Sequence, residues 1–204
     1  MLEVDNLACV RGDHTLFTGL SFTLAAGELL QVQGENGSGK TSLLRTVCGL
    51  MQPAEGEIRW NGKKVKEIGS EFNAAMMYLG HHNAVKDELN AVENLCISSG
   101  LAGFEISETE AVKILQRMGL RRKVHLPVKV LSQGQRRRVA LSRLLASEAS
   151  LWVLDEPLTA LDVGAVDMMQ ELIAEHLSKA GMVIFTTHQP LLVPGVQLRQ
   201  LALS

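Results

Sequence analysis

Three kinds of apolar patterning divide the chain. Toward the N-terminus, "LEVDNLAC", "LSFTL" and "ELLQVQG" alternate apolar with polar positions or run apolar over strand lengths, and "AAG" marks a turn between the last two. After "GENGSGK" the period changes. Leu43, Leu44, Val47 and Leu50 recur at helical spacing, which predicts a helix opening near Lys40. "GEIRWNGKKV" reads as a short hairpin arm. From Asn83 to Val130 the chain is helical and polar, and "ETEAVKILQRMGL" is amphipathic, with Ser107 and Glu110 as a capping box. The pattern then becomes helix "QRRRVALSRLLAS", apolar strand "LWVLDEP", helix "VDMMQELIAEHLSKAG" and apolar strand "MVIFTTH". Strands without a polar face, alternating with helices, require a largely parallel sheet covered on both sides. The reading is one α/β domain over residues 1–204, with a helical lobe inserted at 83–130.

Composition narrows the class. At 204 residues and 46% hydrophobic, the chain can bury one domain core. A net charge of −2 gives no overall pull toward nucleic acid or membrane. Charges begin at the third residue with no apolar core behind them, so the N-terminus is not read as a signal peptide. No apolar run approaches the roughly 20 residues that cross a bilayer. Cys9, Cys48 and Cys96 stand singly, which suggests a reducing compartment and core packing. The expectation is a soluble cytosolic domain that meets a membrane only through another chain.

Chemistry enters with "GENGSGKT", Gly34 to Thr41, which matches G-x-x-x-x-G-K-[ST] between an apolar strand and a helix. Gly34, Gly37 and Gly39 permit backbone conformations that aim the N–H groups of the loop, through Glu35, Asn36 and Ser38, at phosphate oxygens. The start of the helix, Lys40 to Ser42, adds its positive dipole end. Lys40 reaches the β and γ phosphates and the Thr41 hydroxyl binds Mg²⁺ in this reading. A chance glycine-rich turn would not carry both flanking elements. The absence of N-K-x-D argues against a GTPase. Asp155 ends the buried strand "LWVLDEP", where α/β sheets bind ligands, and is the second Mg²⁺ ligand; Glu156 beside it is placed to orient or deprotonate a water. "LSQGQ" puts Ser132, Gly134 and Gln135 at another helix N-terminus, a second anion site. One chain already cradles its own ATP, so the second site suits the ATP of another copy, in a head-to-tail dimer.

Phosphate loop, "LSQGQ", "LWVLDEP", "TALD" and "TTH", in that order across nearly the whole chain, resemble the ATP-binding subunits of ATP-binding cassette (ABC) transporters. The resemblance implies a P-loop NTPase core with a mostly parallel sheet, an N-terminal antiparallel β part and an inserted helical subdomain. It implies that Asp162 of "TALD" lines the dimer interface, and that His188 of "TTH" contacts the γ-phosphate and supports Glu156. His81 of "YLGHH" stands where the family normally has a glutamine that touches Mg²⁺. Imidazole is a softer ligand than an amide oxygen, so His81 is expected to act through a water or to sense nucleotide. A haem ligand would need an apolar slot, and this position faces ATP; His82 is read as a solvated neighbour. Arg11 of "CVRGDH" replaces the usual adenine-stacking aromatic and is either a stacking guanidinium or a surface charge. Arg136 to Arg138 read as a solvated face, with one or two guanidiniums leaning toward the neighbouring nucleotide as the alternative, and "GLRRKVHLPVK" could approach anionic lipid.

A narrower likeness rests on "LFTGLSFTLAAGEL", "GKTSLLRTVCGL", "YLGHH", "ENL", "RRRVALSRL" and "TTHQPL". These resemble the ATP-binding subunits of the cytochrome c maturation system, the haem exporter ATPases. That resemblance implies an ATPase, with ATP and Mg²⁺, that powers haem export or release of a haem-loaded chaperone. It implies a homodimer with ATP at the interface, bound to membrane-embedded subunits at the cytoplasmic face of the bacterial inner membrane and docked through Asn83 to Asn94. No nucleic acid and no direct haem contact are expected. A cassette for another cargo is the alternative, and a soluble cassette switch is the second, although no tandem cassette or coiled-coil insertion supports it.

Overall fold

The computed structural model describes residues 1–203. Strands β1 (Leu2–Arg11) and β2 (His14–Leu24) form an antiparallel hairpin. β3 (Leu29–Gln33) leads through the phosphate loop into α1 (Lys40–Val47). β4 (Glu55–Trp60) and β5 (Lys63–Lys64) return to the hairpin, giving an antiparallel sheet of order β2-β1-β4-β5. α2 (Gly69–Ala75) and β6 (Met76–Leu79) follow, then α3 (Ala91–Leu101), α4 (Glu108–Arg117) and a 3-10 turn at Val128–Val130. α5 (Gln133–Ala146), β7 (Leu151–Asp155), α6 (Val163–Ser178), β8 (Met182–Thr186) and β9 (Leu198–Ala202) complete a parallel sheet of order β6-β7-β8-β3-β9.

The apolar runs are explained by what covers them. Every residue of β7 and β8 is buried. Leu151, Val153 and Ile184 pack with Leu43, Leu44 and Val47 of α1 and with the antiparallel sheet. Trp152, Leu154 and Phe185, on the opposite face, pack with Met169, Leu172 and Ile173 of α6 and Leu141 and Leu144 of α5. A third core lies in the segment 83–130, where Ala91, Leu95, Ala111 and Leu115 meet Leu131 and Val139. The Ser107–Glu110 capping box opens α4 as its sequence predicts, and Asn90 with Glu93 forms another on α3. Because the sheet is parallel, β3, β7 and β8 end on the same edge, where open α/β sheets place their ligands.

Three details depart from the patterning. Leu50 does not join the helical face: α1 stops at Val47, Gly49 takes φ 71°, and Leu50 is exposed. α2 buries one large side chain, Phe72, too little for an apolar stripe. β9 is an edge strand with only partial burial, fixed by parallel pairing to β3. Cys9 and Cys48 are buried, as core packing predicts, and Cys96 is half-buried.

At the far end of the sheet, the His176 ring lies flat on Trp152, with centroids 3.8 Å apart and planes 8° from parallel. Burial pushes the His176 pKa below its ordinary value of 6.5, and the nearby Lys179 charge acts in the same direction. The unfolded chain therefore takes up this proton first on acidification. Stability from the neutral imidazole is complete above the unfolded pKa and is lost as pH falls through the lower folded one. We expect the denaturation midpoint to begin falling as pH drops below about 6.5, with a shallower fall in His176→Phe. Glu175, held down to about 2 by Lys179 and Arg117, loses its contribution only below its unfolded value of 4.5, so the two windows separate on one titration.

Candidate active site

β3 delivers the chain to Gly34 at the sheet edge, and Gly39, with φ 96°, caps α1 in the left-handed region that glycine tolerates. A side chain at Gly34 would run into Ser38 Oγ and the Leu203 carbonyl, so the loop closes tightly on itself. Lys40 Nζ donates to the carbonyls of Gly34 (2.7 Å) and Glu35 (2.9 Å) and spans the mouth of the loop. Ser38 Oγ is buried without a hydrogen-bond partner among the described residues, as a loop shaped for an acceptor-rich ligand would leave it.

The loop is joined to the sheet through Asp155, which is 2% exposed. Thr41 Oγ1 donates to Asp155 Oδ2 at 2.8 Å, and Thr186 Oγ1, at the end of β8, donates to Oδ1 at 2.7 Å. The same Thr186 oxygen accepts the Glu156 N–H at 3.0 Å. Glu156 takes φ 50°, a left-handed conformation that costs a non-glycine residue ~1–3 kcal/mol and lasts only where neighbours hold it. The turn aims its carboxylate toward His188, whose Nε2 lies 3.5 Å from Glu156 Oε1.

A cavity of about 410 Å³ collects these groups. Lys40, Thr41, Asp155, Glu156, His81 and His188 line it, together with Asn36, Gly37, Gly39 and Ser42 of the loop and helix start. Arg11 lines it as well and is exposed, a placement that serves a stacking guanidinium and a surface charge alike. His81 and His82 are both exposed, with ring centroids 5.7 Å apart and edge to face. Among the described residues no three His, Cys, Asp or Glu side chains are arranged to hold a metal ion by themselves.

Ser132, Gly134, Gln135 and Asp162 do not line this cavity. Ser132 caps α5 in a reciprocal box, accepting the Gln135 N–H (3.3 Å) while Gln135 Oε1 accepts the Ser132 N–H (3.1 Å). A Cβ on Gly134 would stand 2.7 Å from the Ala160 carbonyl, so α5 closes directly on the "TALD" turn. Asp162 caps α6 through the Ala165 N–H (2.9 Å) and pairs with Arg138 (2.6 Å). The solvated-face reading of Arg136 to Arg138 is overturned. Arg136 bonds Asp87 and the Lys129 and Leu131 carbonyls, Arg138 bonds Asp162, and Arg137 is 3% exposed. Helical periodicity alone does not separate a buried arginine from a solvated one when its partners are backbone carbonyls remote in sequence. Thr186, Leu16 and Thr159 were not singled out as site residues. Thr159 begins "TALD" and Thr186 begins "TTH", so both had a signal; Leu16 opens "LFTGLSFTLAAGEL", whose strand pattern carries no chemical one.

A glycine-rich loop wrapped by a lysine, a threonine bonded to a strand-end aspartate, and a glutamate turned toward a histidine make this an ATPase site of the ABC class. The ABC transporter family model matches residues 17–159. Solved structures agree in fold: a putative ABC transporter ATP-binding protein from Pyrococcus furiosus superposes with a TM-score of 0.84, at 27% identity, over 99% of this chain and 96% of that one. The dimeric structure of MJ0796, a bacterial ABC transporter cassette, gives 0.85 at 21% identity, over 99% of this chain and 94% of that one. The chain belongs to the ABC transporter ATPase family and, within it, to the cytochrome c biogenesis ATP-binding export proteins. It is 55% identical over 203 residues to the protein of that name from Nitrosospira multiformis, covering 100% of this chain and 98% of the relative. The Dechloromonas aromatica protein is 52% identical over 204 residues, with 100% of each chain covered.

Thr186→Val keeps the shape but strips a donor from buried Asp155 and the acceptor from Glu156 N–H. We expect a loss of ~1–3 kcal/mol in denaturant unfolding of the nucleotide-free protein, and a fall in ATP turnover larger than the change in ATP affinity.

Proposed function

We propose that this chain is the ATP-hydrolysing subunit of a membrane transporter complex that powers haem export or release of a haem-loaded chaperone during c-type cytochrome biogenesis. The observation that carries the ATPase half is the Thr41–Asp155–Thr186–Glu156 array, which joins phosphate loop, buried strand and candidate base in one hydrogen-bonded unit. The cargo half rests on the full-length likeness to the export proteins above.

The donors facing the loop, the Thr41 hydroxyl and the Asp155 carboxylate, are hard oxygens and fit Mg²⁺. Bound there with ATP, Mg²⁺ supplies charge neutralisation for the phosphates. The chain's own residues do the rest. Loop N–H groups and the start of α1 bind phosphate oxygens, and Lys40 exchanges its loop carbonyls for the β and γ phosphates. Glu156 holds the attacking water in line and takes its proton on the carboxylate; His188 keeps that carboxylate oriented from 3.5 Å. His81 senses the nucleotide from the cavity edge. Ser132, Gly134 and Gln135 of one copy read the ATP of a second, with Asp162 at the contact. Their position outside the chain's own cavity supports this homodimer, as does the dimeric form in which the MJ0796 cassette was solved.

The membrane partner docks near Asn83 to Asn94. In support, Asn94 is 8% exposed and bonds the Lys86 N–H and the Lys86, Leu89 and Asn90 carbonyls, which ties the partly exposed stretch 83–90 to the start of α3. No helix among the described residues is long and apolar enough to cross a membrane. A peripheral seat at the cytoplasmic face, held by the partner, is supported by the likeness to the export proteins.

Glu156→Gln is expected to cut turnover by ~10²–10⁴-fold while leaving an ATP-dependent dimer on a sizing column; Lys40→Ala weakens ATP binding itself. In cells lacking the chain, covalent haem in c-type cytochromes should disappear and return with wild type but not with Lys40→Ala. Normal cytochromes without the chain would reject the cargo and leave the ATPase standing.

A further inference from the structure

Arg137 sits on α5, five residues beyond the Ser132 cap, and points into the protein rather than along the helix surface. Its guanidinium offers five N–H donors in a fixed plane. All five are used. Nε donates to the Pro157 carbonyl (3.2 Å), Nη1 to the Gly80 carbonyl (3.1 Å) and Asn83 Oδ1 (3.2 Å), and Nη2 to the carbonyls of Asp155 (3.3 Å) and Glu156 (2.7 Å). Burial pushes the guanidinium pKa down, and the Asp155 and Glu156 carboxylates oppose that shift. A buried cation spent on four backbone carbonyls and one amide oxygen of two other segments is an expensive clamp, and the segments it clamps are informative.

One is the turn Asp155–Glu156–Pro157. The shortest of the five bonds falls on the carbonyl of Glu156, the residue held at φ 50°. With Thr186 on the Glu156 N–H, the peptide groups on both sides of the Glu156 Cα are tied, and the unfavourable conformation is fixed from two elements. The other is the loop Gly80–Asn83, which carries His81 into the cavity. We propose that Arg137 is a positioning residue: it locks the backbone of Glu156 in its left-handed turn and ties that turn to the His81 loop, so that the two cavity residues are presented in fixed relation by the helix whose N-terminus is Ser132. This rests on the reading of Glu156 as the group that activates water. A lysine has one nitrogen and cannot span both segments with this fork, and glutamine has two amide donors.

The test compares Arg137→Gln, Arg137→Lys and Asn83→Ala with wild type, in the full chain. Turnover, ATP KM, affinity for a fluorescent ATP analogue and thermal midpoint are measured on each. Arg137→Gln is expected to lose ~10-fold or more in kcat with KM and analogue affinity within about twofold of wild type, since the phosphate loop is untouched. Arg137→Lys recovers part of the loss by retaining the charge and one bond. Asn83→Ala, which removes one of the two loop-side acceptors and leaves the Gly80 carbonyl, lowers kcat by a smaller factor at unchanged affinity. Combining it with Arg137→Gln adds no further loss, because the guanidinium that Asn83 accepts from is already gone. Wild-type kcat in a folded Arg137→Gln overturns the proposal, as does a parallel fall of kcat, affinity and thermal midpoint that Arg137→Lys does not relieve. Should Arg137→Gln fail to fold, Asn83→Ala decides: wild-type kcat there overturns the linkage. Glu156→Gln run alongside separates the two readings. If it still turns over, the role of Glu156 falls and the linkage with it; if it is dead while Arg137→Gln is normal, the linkage alone falls.

Discussion

A single buried carboxylate organises this protein. Asp155 lies at the end of β7, away from solvent, and its oxygens are taken by hydroxyls from two directions: Thr41 at the start of α1 and Thr186 at the end of β8. A buried charge is tolerated only where hydrogen bonds replace its water. Here those bonds also pin the phosphate loop to the sheet and, through Thr186, fix the backbone of Glu156. The parallel sheet exists to bring these ends together, and its two apolar faces secure the strands that carry them.

Much of this was visible in the sequence, for identifiable reasons. The phosphate loop and "LWVLDEP" are local: a strand, a turn of glycines and a helix, or four apolar residues and an aspartate, each determine their own geometry. Runs without a polar face at residues 151–155 and 182–186 told of a sheet covered twice, and the covering helices are where the helical periods placed them. Capping residues at Ser107 located a helix start to the residue. What stayed hidden depends on distance along the chain. β9 is a strand because β3 offers it an edge, 165 residues or more away, and its own residues alternate only weakly. Arg137 looks like its neighbours Arg136 and Arg138 in any local window. Only the arrival of the 80–83 loop and the Asp155 turn makes it the buried member of the three.

The site is similarly divided. The residues of the glycine-rich loop and helix start that line the chain's own cavity are drawn from contiguous motifs, whereas Leu16 comes from the hairpin and Thr159 from the turn that leads to α6. Ser132 and Asp162 are near neither in the sense of sharing the cavity, and each is occupied at a helix N-terminus. Capping and anion binding use the same orphan N–H groups, so a helix end that is firmly capped remains a positive pole with its direction set. The Arg138–Asp162 pair then holds one such end against the other.

Helix α5 belongs to two cores at once. Val139 packs with the helical segment 83–130, while Leu141 and Leu144 pack against the parallel sheet. At 14 residues it is a rod about 21 Å long, with no hinge residue in its interior. A displacement of the helical lobe cannot be absorbed in a joint between lobe and sheet, because the joint is itself a helix. The lobe can only swing with this shaft or drag it. Either movement carries the Ser132 end with it, and Arg137, bonded from the same shaft to the Asp155 turn and the 80–83 loop, makes those two segments part of what the helix holds.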